Sequence, residues 1–120
     1  MEDHLTTLEV AYRIVDVIDE HKGENITLLD FRPDGVMADF VVIATGNSDR
    51  QLRALADYVR TGVKEGYEAL PFSVDGTPQS GWVLMDYGDI LVNLFDEETR
   101  SYYDLENLWH DRSKVLVTIQ

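Results

Sequence analysis

Cysteine is absent from the 120-residue sequence, so neither a disulfide framework nor thiol catalysis is available to the chain. Histidine occurs three times, and no two histidines have the spacing of metal ligands. The sequence also has no phosphate-binding loop and no dinucleotide-binding glycine pattern. These absences predict a protein with no cofactor, no metal site and no catalytic residues.

Cationic residues are scarce. Ten Lys and Arg stand against 23 Asp and Glu, which gives a formal net charge of −13. Because cationic side chains supply most of the affinity for nucleic acid, we expect no direct binding to RNA or DNA. An acidic surface favours basic partners, although acidity also serves solubility, and charge alone leaves both explanations open.

Long apolar runs are absent as well. No run approaches the roughly 20 residues needed to span a bilayer, so we expect no membrane contact. The first residues, "MEDHLTTLEV", lack the basic start and apolar middle of a secretory signal. We therefore expect a cytoplasmic protein, with residues 1–120 forming one domain around one core.

The apolar periodicity in the first half predicts helices alternating with strands. A first helix would bury Leu5, Leu8, Ala11, Tyr12, Val15 and Ile18. "NITLLDF" (25–31) reads as a strand, and "DFVVIAT" (39–45) as a strand buried on both faces. Ser48 is predicted to cap the next helix in a capping box with Gln51, and Gly66 is predicted to end it.

The second half predicts a short edge strand at 68–74 and a hairpin within "GWVLMDYGDILVNLF" (81–95). A helix at 97–109 and a final strand or ordered tail at 114–119 would follow. The whole order predicts an α/β fold with a mixed β-sheet flanked by helices.

The hairpin carries the most informative residues. Alternation places Trp82, Leu84 and Asp86 on one face of its first strand, and Val83, Met85 and Tyr87 on the other. Both faces are apolar, so the strand is either covered twice or leaves one face open to a partner. The sequence leaves Trp82 balanced between a core residue and an interface anchor.

An acidic set offers an alternative chemistry. Asp39, Asp86 and Asp89 lie on or beside neighbouring strands, where carboxylates can hold a divalent metal. "TGNSDR" (45–50) has the strand, glycine turn and helix start of nucleotidyltransferases, but their Gly-Ser pair and Asp-x-Asp strand are missing. Asp also commonly hydrogen-bonds the backbone of turns, so a turn role is favoured over a metal site.

Three segments resemble the ribosome silencing factor family, also called Iojap-like proteins. They are "DFVVIATGNSDRQLRALAD" (39–57), "GWVLMDYGDILVNLF" (81–95) and "YYDLENLW" (102–109). The chain departs from the family pattern at Phe40 and Val41, at Asn93, where His is frequent, and at His110, where Gly is common. None of these departures touches residues 82–89.

The resemblance implies a nucleotidyltransferase-like sheet without nucleotidyltransferase activity. It implies binding to the large ribosomal subunit through a basic L-fourteen-type protein, a block to joining of the small subunit, and lower translation when nutrients are scarce. Homodimers that compete for the same apolar surface are a further implication. The contact surface carried onto this chain comprises Trp82, Met85, Asp86, Tyr87 and Asp89. The rival hypothesis is a metal-dependent nucleotidyltransferase-like enzyme using Asp39, Asp86 and Asp89.

Overall fold

The structure is a computed structural model that describes residues 6–35 and 37–120. Its elements are α1 (Thr7–Glu20), β1 (Glu24–Asp30), β2 (Phe40–Thr45), α2 (Asp49–Tyr67), β3 (Ser73–Asp75), β4 (Trp82–Asp86), β5 (Ile90–Phe95), α3 (Glu97–Tyr103), α4 (Leu105–Leu108) and β6 (Lys114–Ile119). A short 3₁₀ turn, Pro78–Ser80, precedes β4. Within the described ranges, no helix combines the length and the apolar character needed to cross a membrane.

The strands form one sheet in the order β3-β4-β5-β2-β1-β6. β2 runs parallel to β5, and the other neighbouring pairs are antiparallel, so the predicted mixed sheet is confirmed. Every residue of β2 is buried, as predicted for a strand covered on both faces. The parallel pair therefore forms the centre of the fold.

Helices α1 and α2 pack side by side on one face of the sheet, which we call the helix-covered face. Its core contains Ile14, Ile18, Leu52, Leu55, Val59, Val63, Leu28, Val42, Met85, Val92 and Leu94. Residues of both helices and of four central strands thus share one apolar cluster. Removing these side chains from water is the main source of stability here.

The predicted inner face of α1 is partly wrong. Ala11, Val15 and Ile18 are buried, but Tyr12 is 39% exposed, and Ile14 lies inside instead. Successive helical residues are rotated by about 100°, so Tyr12 points about 100° away from Ala11 and lies at the edge of the buried face. Leu5 lies outside the described residues.

Ser48 caps α2 as predicted, because its hydroxyl accepts a hydrogen bond from the backbone N–H of Gln51 at 3.0 Å. The reciprocal half of the capping box is wrong. The Gln51 side chain accepts instead from the backbone N–H of Asn47 at 2.6 Å and donates to the carbonyl of Lys22 at 3.0 Å. Gln51 thus joins the start of α2 to the end of α1.

Two predicted helix ends are also wrong. Gly66 does not end α2, which continues to Tyr67 before Glu68 adopts the left-handed conformation at φ 56°. The predicted helix at 97–109 is divided into α3 and α4 by Asp104, which is left-handed at φ 49°. Left-handed residues stop a helix without requiring glycine, and Asp tolerates this conformation better than most residues.

The hairpin and both sheet edges agree with the sequence. β4 and β5 pair antiparallel across a turn in which Gly88 has φ 88°, a conformation that glycine adopts without strain. A strand lies at one edge of the sheet as predicted, but its bounds are wrong, because β3 spans Ser73–Asp75 rather than 68–74. The segment 114–119 is a strand rather than a tail, and it forms the other edge.

Candidate functional site

The two faces of β4 have different environments. Val83 and Met85 point into the helix-covered core, and Met85 is 1% exposed. Trp82, Leu84 and Asp86 point to the opposite face and are half-buried. We call that opposite face of the sheet the open face; on β5 it is carried by Leu91, Asn93 and Phe95.

The structure does not bring the five predicted partner-binding residues onto one surface. Trp82 and Asp86 share the open face, and exposed Asp89 lies in the turn between β4 and β5. Met85 is enclosed in the core, and Tyr87 packs against the same helix-covered cluster. Met85 therefore has no accessible surface with which to touch a partner while the sheet is intact.

Trp82 is held in place by contacts on three sides. Its ring centroid lies 4.8 Å from that of Phe95 and 4.7 Å from that of Tyr103. Its indole Nε1–H donates to Oδ1 of Asn93 at 3.0 Å, and Asn93 is itself buried. Trp82 is thus both part of the domain and a fixed, half-exposed aromatic surface, and the two interpretations of this residue are not exclusive.

A groove of about 660 Å³ opens beside Trp82, between β3, β4 and α3. We call it the Trp82 groove; it is lined by Asp75, Gly76, Ser80, Trp82, Leu84, Glu98, Thr99, Tyr102 and Tyr103. Three aromatic side chains form much of its surface, and two carboxylates stand within it. Aromatic faces attract cations and carboxylates pair with them, so the groove suits a Lys or Arg side chain.

Asp86 and Asp89 both form hydrogen bonds at the turn between β4 and β5, Asp86 through its carboxylate and Asp89 through its backbone carbonyl. Oδ1 of Asp86 accepts from the backbone N–H of Gly88 at 2.8 Å. The carbonyl of Asp89 accepts from the backbone N–H groups of Asp39 and Phe40, at 3.0 and 3.1 Å. The side-chain bond of Asp86 supports the favoured turn interpretation for that residue. Nowhere in residues 6–35 and 37–120 do three His, Asp or Glu side chains cluster closely enough to hold a metal ion, so the structure does not assemble the metal alternative.

The turn from β2 into α2 has the outline of a nucleotide site, but its electrostatics oppose one. A shallow pocket there is lined by Asn47 and Ser48 at the helix start and by four carboxylates. The carboxylates are Glu24, Asp49, Asp96 and Glu97. Because phosphate is anionic, these charges cancel the attraction that a helix N-terminus offers.

Tyr87 supports the site from the helix-covered face. Its hydroxyl is buried without a hydrogen-bond partner among the described residues. Burial raises the pKa of Tyr87 to about 12, and the positive charge of Arg60 acts in the opposite direction. Tyr87 therefore stays neutral at physiological pH and contributes apolar packing beneath the turn.

Arg100, which the sequence interpretation did not identify, anchors α3, the helix that borders the open face. Its guanidinium donates to both carboxylate oxygens of Glu106, at 3.2 and 2.6 Å. It also donates to the carbonyl of Asn25 at 2.5 Å and to Oγ1 of Thr45 at 2.8 Å. One side chain thus joins α3, α4, β1 and β2, and holds Tyr103 beside Trp82.

Other residues of the open face were also missed. Alternation placed Leu84 on the face of Trp82, but Leu84 was not included among the predicted contact residues; Tyr102 and Tyr103 could have been found from the aromatic pair in "YYDLENLW". Tyr102 is 80% exposed and packs edge-on against Tyr103, with ring centroids 5.0 Å apart. No comparable sequence signal identifies Arg100, because its partners are between 6 and 75 residues away.

Comparison with known proteins identifies the family. The family model described as "Ribosomal silencing factor during starvation" matches residues 4–120. The Ribosomal silencing factor RsfS of Halalkalibacterium halodurans is 34% identical over 112 residues, which cover 92% of this chain and 94% of that protein. A mouse protein named "Mitochondrial assembly of ribosomal large subunit protein 1" is 27% identical over 92% of this chain and 50% of its own length.

The fold has the same relatives. A crystal structure of a protein from Chromobacterium violaceum superposes with a TM-score of 0.82 at 31% identity, covering 88% of each chain. The predicted α/β class and the resemblance noted in the sequence are therefore confirmed. The chain belongs to the ribosomal silencing factor family, and its role lies in ribosome silencing and the regulation of translation.

Proposed function

We propose that this protein binds the large ribosomal subunit through a basic L-fourteen-type ribosomal protein and sterically blocks joining of the small subunit. Translation would then fall when nutrients are scarce. The mechanism needs no cofactor and no catalytic residue, because an occupied joining surface is sufficient. The net charge of −13 supports a basic partner, since opposite charges steer encounter.

The observation that carries the proposal is the preorganised Trp82 groove. Trp82 is fixed by Asn93, Phe95 and Tyr103, so little side-chain entropy is lost when a partner covers it. Interface hot spots are enriched in rigid aromatic anchors of this kind. Asp75 and Glu98 in the groove, with Asp86 at the end of β4, would pair with Lys or Arg of the partner.

The predicted contact residues divide into two roles in this proposal. Trp82, Asp86 and Asp89 would touch the partner, because all three retain exposed surface. Met85 and Tyr87 would act from beneath, by packing the strand and the turn on which the contacting residues stand. Direct contact by Met85 is not part of the proposal, because its side chain is enclosed.

The name of the mouse relative supports a large-subunit partner for this chain. That protein's name refers to assembly of the ribosomal large subunit, and the alignment covers nearly all of the present sequence. The rival metal-dependent enzyme gains no such support. The Asp86 carboxylate is engaged with the turn backbone, and among the described residues Asp39, Asp86 and Asp89 do not form a group that could hold a metal ion.

We also propose that two copies of the chain can associate through the open face. Its exposed and half-exposed aromatic residues would be shielded in such a dimer, at the expense of ribosome binding. Binding to large subunits should then weaken as protein concentration rises above the dimer dissociation constant. Dimers that bind subunits as well as monomers do would contradict the shared surface.

Sedimentation of ribosomal subunits tests the main proposal, with a matched pair of tyrosine variants. Added protein should shift joined ribosomes toward free subunits without added nucleotide. Tyr102→Ala should weaken this effect about tenfold, because Tyr102 lines the groove and is largely exposed. Tyr58→Ala is the control, since Tyr58 lies on α2, where it stacks on His21.

Two results would contradict the proposal. One is an equal loss of the subunit-separating effect in the Tyr102 and Tyr58 variants, which would show that the effect does not depend on the Trp82 groove. The other is metal-dependent turnover of a nucleoside triphosphate by the purified protein, which would favour the enzyme.

A further inference from the structure

The cations of this acidic chain are unevenly distributed. Helix α2 carries four of the ten Lys and Arg residues against three acidic ones. The four are Arg50, Arg53, Arg60 and Lys64, and all are exposed. At about 100° per residue they fall within an arc of about 80°, and they extend about 21 Å along the helix. We call this ridge the α2 stripe.

The α2 stripe points away from the rest of the helix layer. The inner face of α2 is marked by Leu55 and Val59, which are buried. The flank that meets α1 is marked by Tyr58, stacked on His21 at 3.6 Å. The stripe lies on the other flank, toward the β3–β4 edge, where the charge of Arg60 reaches the Tyr87 hydroxyl.

Local energetics account for the stripe only in part, because Lys64 lies in the last turn, where the helix dipole favours a cation, and Asp57 is four residues from Arg53 and three from Arg60. Arg50 lies in the first turn of α2, where the helix dipole disfavours a positive charge. Arg60 and Lys64 are like charges four residues apart, which destabilises a helix. Across the described part of the chain, none of the four cations lies within salt-bridge distance of a carboxylate. At Arg50 and in the Arg60–Lys64 pair the sequence opposes local stability, and such choices are typical of functional surfaces.

We propose that the α2 stripe contacts the phosphate backbone of ribosomal RNA when the protein is docked on the large subunit. This inference rests on the proposed function, because the docked partner brings RNA to the stripe. An isolated ridge of four cations on a chain of −13 is too weak to bind RNA alone, but docking removes the entropic cost of encounter. The Trp82 groove would then recognise protein while α2 recognises RNA.

Salt dependence of binding gives the sharpest test. Each phosphate contact contributes about 0.7 to 0.9 to the slope of log affinity against log salt. The triple variant Arg50→Gln, Arg53→Gln, Arg60→Gln should flatten this slope for large subunits by about two and weaken binding about tenfold or more at moderate salt. Arg112→Gln, an exposed cation outside α2, is the control and should change neither quantity.

Affinity for the isolated basic ribosomal protein, measured beside affinity for large subunits, distinguishes RNA contact from a general effect of charge. The triple variant is more acidic than the parent, so its affinity for the isolated basic ribosomal protein should stay the same or rise. Asp57→Asn, which removes the acidic residue within the stripe, should strengthen subunit binding and steepen the slope. Thermal melting should show that the triple variant is still folded at the temperature of the binding assay, because all three substitutions are at exposed positions of α2.

The outcomes distinguish this inference from the proposed function. If the triple variant kept the subunit affinity and the salt slope of the parent, the RNA contact proposed for the α2 stripe would be wrong, and the proposed function would be unaffected. Equal weakening toward the subunit and toward the isolated protein would also overturn it, because RNA would not be the cause. If the parent bound subunits in a stripe-dependent way but not the isolated protein, the stripe would stand and the proposed partner would be wrong. A parent that binds no large subunit would overturn both.

Discussion

Replacing Trp82 by Ala tests how one residue serves both the fold and the interface. A fully buried tryptophan costs about 3–5 kcal/mol when truncated, and Trp82 is half-buried, so we expect about 2 kcal/mol from lost packing. The loss of its Nε1–H leaves buried Asn93 without this donor, which adds about 1 kcal/mol. The total of about 3 kcal/mol should lower the melting temperature by about 10 °C.

Binding should fall as well. An interface anchor of this kind contributes at least about 2 kcal/mol, or roughly thirtyfold in affinity for large subunits. Trp82→Phe separates the two effects, because it retains an aromatic surface in the groove but loses the hydrogen bond to Asn93. The free energy of unfolding of this variant should be about 1–2 kcal/mol lower than that of the parent, while most of the affinity for large subunits is kept.

The assay is thermal melting beside subunit affinity, measured well below the melting temperature of each variant. A strongly destabilised Trp82→Ala protein that still binds large subunits when folded would refute the anchor assignment. A variant with unchanged stability would refute the packing described here. The two measurements therefore test independent parts of the argument.

Three further predictions concern single contacts. Asp86→Asn should keep the turn, because its side-chain oxygen can still accept from Gly88, yet slow docking at low salt, whereas Asp86→Ala should also lower the melting temperature. Tyr87→Phe should be as stable as the parent or more so at pH 7, because it removes a buried hydroxyl with no described partner. The folded pKa of Tyr87 lies above its ordinary value, so stability of the parent should fall as pH rises from about 10 to about 12, and this component should vanish in the variant. Arg100→Gln should cost about 2 kcal/mol, measured by denaturant unfolding, and weaken subunit binding through displacement of α3; full affinity would contradict its positioning role.

Periodicity predicted the sheet well because its signals are local. The hairpin pattern within residues 81–95 and the apolar run at 39–45 each required only neighbouring residues, and all three strands were found. The helix at 97–109 was less predictable, because its division at Asp104 depends on one residue adopting a left-handed conformation. The capping partner of Gln51 was also missed, since one of its hydrogen bonds reaches Lys22, 29 residues earlier.

The candidate site was harder to predict because β4 is apolar on both faces. Sequence alternation placed Trp82 and Met85 on opposite faces, but it could not show which face α1 and α2 cover. That choice depends on strand order and on which way the connection to α2 crosses the sheet, and neither is encoded in β4 itself. Residues carried over by resemblance therefore included Met85, whose side chain belongs to the core.

Net charge and charge placement lead to different conclusions for this chain. The total of −13 predicts repulsion from RNA as the protein approaches, because at separations comparable to the Debye length of about 8–10 Å many of its charges act together. At contact, only the charges within that distance matter, and on α2 these are mainly cationic. The acidic groove would therefore direct the protein to a basic ribosomal protein first, and the α2 stripe would act only after that contact had formed. Such an order gives the highest affinity at sites where protein and RNA lie side by side, and it disfavours bare RNA, which offers no basic protein for the first contact.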